Sequence, residues 1–194
     1  MNAVELLFTQ GFGTRRECAA LVANERVEIA GAGVIDAVQE FEAEGLRYRV
    51  DGGDFWPYRP QAVIALHKPA GYECSTKPRH HASIYSLLPA PLRTRGVQSV
   101  GRLDEDTTGL LLLTDDGTLL HRLTSPKRHV AKVYEVACKH AVDTAQIERL
   151  RSGVLLHDEN ETLHAAACEP TGECSLRMTL TEGKYHQVKR MVAA

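Results

Sequence analysis

The spacing of apolar and polar positions divides the chain into helical and extended stretches. Val4 to Thr9 predicts a first short helix. Thr14 followed three residues later by Glu17 has the form of a capping box, opening a second helix from Arg15 to about Asn24 with Ala19, Leu21 and Val22 inward. Val27 to Ile29 then alternates as a short strand ending at Gly31. Beyond Ala62 strands dominate. Val63 to His67 runs into the turn Lys68-Pro69-Ala70-Gly71, and Val97 to Val100 and Gly109 to Thr114 read as buried strands. Val130 to Cys138, Thr162 to Ala167 and Cys174 to Thr181 read as three more, with a loop around Pro170 to Glu173. Short helices are expected over Ile84 to Leu88, stopped by Pro89 and Pro91, and over Thr118 to Thr124, after the turn Asp115-Asp116-Gly117 and ended by Pro126. Another runs from its cap Asp143 through Leu150. Strands outnumber helices without alternating strictly with them. The expected fold class is α+β with a mostly antiparallel sheet.

Between the two regions lies Asp51 to Gln61, DGGDFWPYRPQ. Its glycines and prolines and its lack of apolar period read as a linker, across which the flanking modules are expected to move. The expected organisation is a module over residues 1–50, a linker over 51–61 and a larger module over 62–194.

Composition narrows the class. With 194 residues, 43% hydrophobic and 25% charged, the chain is long enough to bury a core without disulfides or metals. No apolar run approaches the ~20 residues of a membrane span. The start of the chain is acidic and lacks a small-residue cleavage site, so no signal peptide is read and a cytoplasmic location is expected. The five cysteines are scattered, with no C-x-x-C pair, which indicates neither a disulfide framework nor a zinc site. Cys74 and His80 lack a second pair at ligand spacing, so no metal is expected.

Net charge is −2, which by itself does not suggest a nucleic-acid binder. Its distribution does. Residues 1–60 hold six Lys/Arg against ten Asp/Glu, whereas residues 62–140 hold eleven against seven, with six histidines besides. A local basic face can meet a phosphate backbone inside an acidic total.

The richest stretch for chemistry is Gly101 to Gly117, GRLDEDTTGLLLLTDDG. It sets Arg102 and Asp104 on a turn between apolar strands, where a carboxylate beside an arginine would sit ionised. From the residues alone, Asp104 is equally a turn cap with Arg102 as its surface partner. No Gly-Lys-Ser/Thr follows, so the glycines are not a phosphate loop. Asp104 and Asp106 need not converge as a glycosidase pair on an extended turn.

GRLDEDTTGLLLLTDDG resembles the signature of the RsuA-type pseudouridine synthases, which isomerise uridine in ribosomal RNA. HKPAGYECST from His67, HRLTSPKRHVAKVYEV from His121, SGVLLHDENETLHAA from Ser152 and EGKYHQVKRM from Glu182 resemble further segments of that family, in order. The match runs from about Ala62 to Ala194. GFGTRRECAALVANERVEIAG, from Gly11, resembles the S-four RNA-binding domain that precedes the catalytic domain in this family, although the usual opening Arg-Leu-Asp-Lys is absent. The family usually continues through another helix and strand past the point where this chain stops, so a C-terminally short catalytic domain is expected.

The resemblance implies roles. Asp104 becomes the catalytic aspartate, acting as a nucleophile or by drawing off a sugar proton. Tyr134 matches the family tyrosine, which can stack on a flipped uracil and reach the proton at carbon five. Lys189 would pair with Asp104. Arg102 would brace the RNA backbone or fill the gap left by the flipped base. Further RNA contacts are expected from Lys68, Arg79, Arg122, Lys127, Arg128 and Lys132, interleaved with His80, His81, His121 and His129. In the first module Arg15, Arg16 and Arg26 form the expected RNA face. No cofactor is implied, because isomerisation needs no redox agent and no second substrate. Thr107-Thr108 and the His-Arg-Leu-Thr-Ser-Pro segment favour 16S ribosomal RNA, within an assembling small subunit, as the substrate of a monomer. A 23S enzyme of the same family and a non-catalytic RNA-binding assembly protein are the competing expectations.

Overall fold

The computed structural model describes residues 1–34, 36–157 and 159–194. Of the motifs quoted above, only the one from Ser152 touches the remainder: its Asp158 lies outside the described residues. The chain forms two compact units, Met1–Leu120 and His121–Ala194.

The first unit opens with α1 (Ala3–Thr9), capped by Asn2, which accepts the Glu5 N–H at 2.9 Å. Next comes α2 (Arg15–Ala23), where the expected capping box is present. The Thr14 hydroxyl accepts the Glu17 N–H at 3.3 Å, and the Glu17 carboxylate accepts the Thr14 N–H at 2.7 Å. Then follow β1 (Val27–Ile29), β2 (Ala32–Gly33), β3 (Arg47–Val50) and β4 (Trp56–Pro57), an antiparallel sheet in the order β2-β1-β3-β4. Leu6, Leu7, Cys18 and Val22 from the helices join Val27, Ile29 and Tyr48 from the sheet in one core. Phe12 meets Tyr48 and Trp56 edge-on, with centroids 5.7 and 6.1 Å away.

The segment expected as a mobile linker is instead held. Trp56 pairs with Tyr48 across β4 and β3, and Trp56 and Tyr58 pack on the core just described. Just beyond, the Gln10 side chain bonds the Arg59 backbone both ways, donating to its carbonyl at 3.0 Å and accepting its N–H at 3.2 Å. The first module therefore reaches Tyr58, and little slack follows it.

The rest of the unit runs through β5 (Val63–Lys68), β6 (Tyr72–Glu73), β7 (Ala82–Ser83), a 3-10 turn over Ile84–Leu87, α3 (Ala90–Thr94), β8 (Gln98–Ser99) and β9 (Gly109–Thr114). The antiparallel sheet has the order β5-β9-β8, with Lys68 opposite Gly109, while β6 and β7 form a small parallel pair. Ala62, Ile84, Leu88, Val97, Leu111 and Leu113 make its core. The helix α3 departs from expectation: Pro91 sits at its first positions, where the missing N–H costs nothing, and so starts a helix instead of stopping one.

α4 (Gly117–Thr124) spans the boundary between the units. The second unit then contains a 3-10 turn over Pro126–Arg128, β10 (Lys132–Ala137), α5 (Thr144–Ser152), β11 (Val154–Leu155), β12 (Thr162–Leu163), β13 (Ala167–Gly172), β14 (Ser175–Leu180) and α6 (Gln187–Ala193). The main sheet is antiparallel in the order β10-β14-β13, and β11 pairs with β12 as a separate hairpin. Asp143 caps α5 through the Gln146 N–H at 2.7 Å. Gly153 ends it at φ 127°, where a Cβ would lie 2.3 Å from Thr162 Cγ2. Ile147, Leu150, Leu176, Met178, Leu180 and Met191 anchor the core of this unit. The strand expected over Thr162 to Ala167 is two strands, β12 and the start of β13. The loop expected around Pro170 belongs to β13, with a register shift between Pro170 and Gly172. As an edge strand, β13 tolerates the proline that a central strand would reject.

Candidate active site

Asp104 lies on the irregular turn between β8 and β9, half-buried. Its carbonyl accepts the Thr107 N–H at 3.1 Å. The backbone around it is held from several sides. Gly71 donates its N–H to the Glu105 carbonyl at 2.8 Å, and the Cys74 thiol donates to the Leu103 carbonyl at 3.4 Å. Lys68 does most. Its side chain is fully buried, and its ammonium donates to the carbonyls of Pro69 (3.0 Å), Glu105 (3.1 Å) and Thr107 (2.9 Å). An ammonium has three N–H donors, and all three have a partner here. This corrects the expected phosphate contact: Lys68 has no donor left for RNA and instead ties the end of β5 to the stretch that follows Asp104. Residue type carries no sign of it, because backbone carbonyls brought together by β5–β9 pairing leave no trace there.

The loop after β6 is built around Glu73. Its carboxylate accepts the N–H groups of His80 (2.9 Å), Arg79 (3.2 Å) and His81 (2.9 Å). Those bonds, from His80 and Arg79 first, hold the Glu73 carboxyl below its ordinary range. His81 Nδ1 comes within 3.9 Å of Glu105, beside Asp104. Arg79, His80 and His81 are thus exposed side chains on a fixed loop next to the candidate aspartate.

In the second unit, Tyr134 sits mid-strand on β10 opposite Met178. Lys132, Tyr134 and Val136 share the more buried face of that strand, and Tyr134 and Val136 pack on the unit's core. Lys189 is exposed on α6, next to Val188, which packs on the same core. The stretch before α6 carries more order than its sequence suggested. Gln187 is buried, accepts the Lys184 N–H at 2.8 Å and donates to Glu182 at 2.8 Å. Tyr185 stacks on His186 with centroids 3.8 Å apart. The Lys184 ammonium meets Glu159 at 2.9 Å, which raises its pKa.

The other expected RNA contacts fall into two groups. Arg102, Arg122, Lys127 and Arg128 are exposed, the last two in the 3-10 turn after α4, and His121 and His129 are exposed beside them. Lys132 is half-buried and donates to the Val130 carbonyl at 3.3 Å. In the first module Arg16 is exposed, and Arg15 lies 4.3 Å over the Phe8 ring. Arg26 is engaged by Asp51 through a fork-to-carboxylate pair, with Nη2 to Oδ2 at 2.7 Å. It is therefore a poorer phosphate donor than expected.

Mixed α/β architecture with antiparallel sheets and an aspartate on a fixed turn define a class, and comparison with known proteins places it. The family described as RNA pseudouridylate synthase matches residues 62–194, and the chain belongs to that family. Ribosomal small subunit pseudouridine synthase A of Escherichia coli K12 is 43% identical over 144 residues, 74% of this chain and 62% of that protein. The protein of the same name from Pasteurella multocida is 38% identical over 177 residues, covering 91% and 72% of the two chains. An RNA pseudouridine synthase of Bacillus subtilis is 36% identical over 198 residues, covering 100% and 82%. A crystal structure of a pseudouridylate synthase matches with a TM-score of 0.65 at 32% identity, over 100% of this chain and 82% of that one.

Proposed function

We propose that this chain isomerises a uridine of 16S ribosomal RNA to pseudouridine, with Asp104 as the catalytic carboxylate. The bond from the sugar to N1 breaks, the base turns, and a bond to C5 forms while the C5 proton leaves and N1 gains one. Breaking the first bond develops positive charge on the sugar. A carboxylate meets that need by attacking the anomeric carbon or by drawing off a sugar proton. Tyr134 stacks on the turned base and offers its phenolic oxygen to the C5 proton. Lys189 supplies positive charge to Asp104. Arg102, Arg79, Arg122, Lys127 and Arg128 hold the RNA backbone. The observation that carries the reading is the fixed Asp104 turn, whose backbone is tied by Lys68, Gly71 and Cys74 while Asp104 as a residue stays half-exposed. Such pre-organisation is what charge stabilisation in a transition state requires.

The 16S substrate is favoured by the relatives from Escherichia coli and Pasteurella, both named for the small ribosomal subunit. The module over residues 1–58 is assigned as an S-four-like RNA-binding domain, with Arg15 and Arg16 toward RNA. The enzyme acts as a monomer in the cytoplasm, on an assembling subunit. The test is Asp104→Asn, a near-isosteric swap that removes only the charge. Pseudouridine mapping on 16S and 23S RNA should show one 16S position lost with the variant, while RNA affinity stays within about threefold. Turnover within tenfold of wild type would remove Asp104 from its role, and a lost position in 23S RNA would move the substrate.

A further inference from the structure

A polar bracket joins the first module to the β5-β9-β8 half of the unit, and its centre is Arg95. The guanidinium follows α3 and its side chain is 5% exposed. Nε and Nη2 hold the Asp115 carboxylate at 2.7 and 2.6 Å. Nη1 reaches the Gln10 side-chain oxygen and the Arg59 carbonyl, both at 3.0 Å, and Nη2 reaches the Pro60 carbonyl at 3.1 Å. A guanidinium has five N–H donors in a rigid fork, and these five contacts match them. Asp115 closes the figure by accepting the Ala62 N–H at 2.7 Å through its other oxygen. Gln10 ends α1, residues 59–62 are the stretch between the modules, and Asp115 follows β9, the strand that leaves the Asp104 turn.

Two further facts show how close the approach is. A Cβ on Gly11 would lie 2.1 Å from the Pro91 carbonyl oxygen of α3, so the backbones pass where only glycine fits. Tyr48, in the core of the first module, has its pKa raised by burial, and the Arg95 charge opposes that rise. An apolar patch at such a joint would let the modules slide over one another. Buried charge-assisted bonds with fixed directions select a single geometry, which is the best-attested use of buried polar groups.

We propose that Arg95 is a positioning residue that docks the first module in one fixed orientation, so that RNA gripped by that module is delivered to the Asp104 turn at a set distance. The bracket works as a ruler and thereby selects which uridine is modified. This rests on the proposed RNA-modifying function, so the test has one arm that does not. Backbone 15N relaxation on the full chain should give one correlation time for residues 1–58 and 62–120. In Arg95→Met the first module should tumble with a shorter time than the remainder. Gln10→Leu, which keeps the Arg95–Asp115 pair and serves if Arg95→Met fails to fold, should give an intermediate effect. A shorter time for the first module in wild type, or no change in the folded variants, overturns the bracket whatever the activity.

The second arm compares a long 16S fragment with a short oligonucleotide around the target, too short to reach the first module. The variant should lose at least tenfold in kcat/KM on the fragment, mainly through KM, and modify additional uridines there. On the oligonucleotide it should stay within about twofold. Equal losses on both RNAs would mean general damage and would overturn the positioning role. If wild type makes no pseudouridine at all, the functional reading fails, and the relaxation arm still decides the bracket.

Discussion

Lys68 closes β5 with its ammonium turned into the fold. A lysine at the end of a strand is ordinarily a solvated cation, yet here it is fully buried with three carbonyl partners on the turn that carries Asp104. Lys68→Met keeps the stem and removes the donors, leaving three carbonyls without their partner. Its cost should be about 3 kcal/mol in the denaturant midpoint, and turnover should fall further than the fraction unfolded explains. Unchanged stability would mean that water or a neighbour replaces the ammonium. Tyr134 separates packing from chemistry by another route. Tyr134→Phe keeps the ring against the core that holds Val136 and Met178, so stability should change by less than about 1 kcal/mol. If the phenolic oxygen moves a proton, single-turnover rates should fall by about 100-fold or more. A rate equal to wild type would leave Tyr134 with packing alone.

At the level of elements, what could be read from the sequence was what local chemistry dictates. Thr14 and Asp143 cap α2 and α5 where the pattern put them, and α1 starts within a residue of its expected place, because a cap and its helix are neighbours in sequence. The six-residue strands β5, β9, β10 and β14 also matched, since each shows its burial pattern without interruption, whereas the proline and glycine of the equally long β13 read as a loop. Two-residue strands such as β4 and β6 were misread or missed, because two positions carry no period. In the candidate site, Asp104, Tyr134 and Lys189 came from resemblance to a family. The groups by which the Asp104 turn is held are its backbone carbonyls, so their pairing with Lys68, Gly71 and Cys74 could not be read at all. The loop over residues 74–81 makes the point testable, because one carboxylate orders it. The Glu73 pKa is lowered in the folded chain, so the order it confers is present above the ordinary carboxylate range and is lost as pH falls through the lowered value. Amide exchange at Arg79, His80 and His81 should therefore be protected at neutral pH and lose that protection in acid, below the ordinary carboxylate range. Glu73→Gln should remove the protection at every pH. Protection that survives the substitution would show that β6–β7 pairing, not the carboxylate, orders the loop.

For the molecule as a whole, the question is how a chain of net charge −2 could hold the polyanion that the proposed function requires. The answer lies in where its cations are exposed. The acidic residues of the first module, Glu42 and Glu44 among them, are far in sequence from the basic stretch that runs from Arg122 to Arg128. Arg122, Lys127 and Arg128 stand exposed within seven residues, and a local cluster can release counterions from RNA whatever the total charge. RNA affinity should accordingly fall steeply between low and moderate salt. Each neutralised phosphate contributes a slope of about 0.7 to 0.9 in log affinity against log salt. Replacing Arg122, Lys127 and Arg128 together by glutamine should therefore flatten the slope by about 2 to 3 and weaken binding to matched and unmatched RNA alike. Loss confined to the matched RNA would mean that these side chains read bases. An unchanged slope would move the phosphate grip elsewhere, with Arg79 and Arg16 the next exposed candidates. Direct titration of wild type and the triple variant at three salt concentrations separates these outcomes.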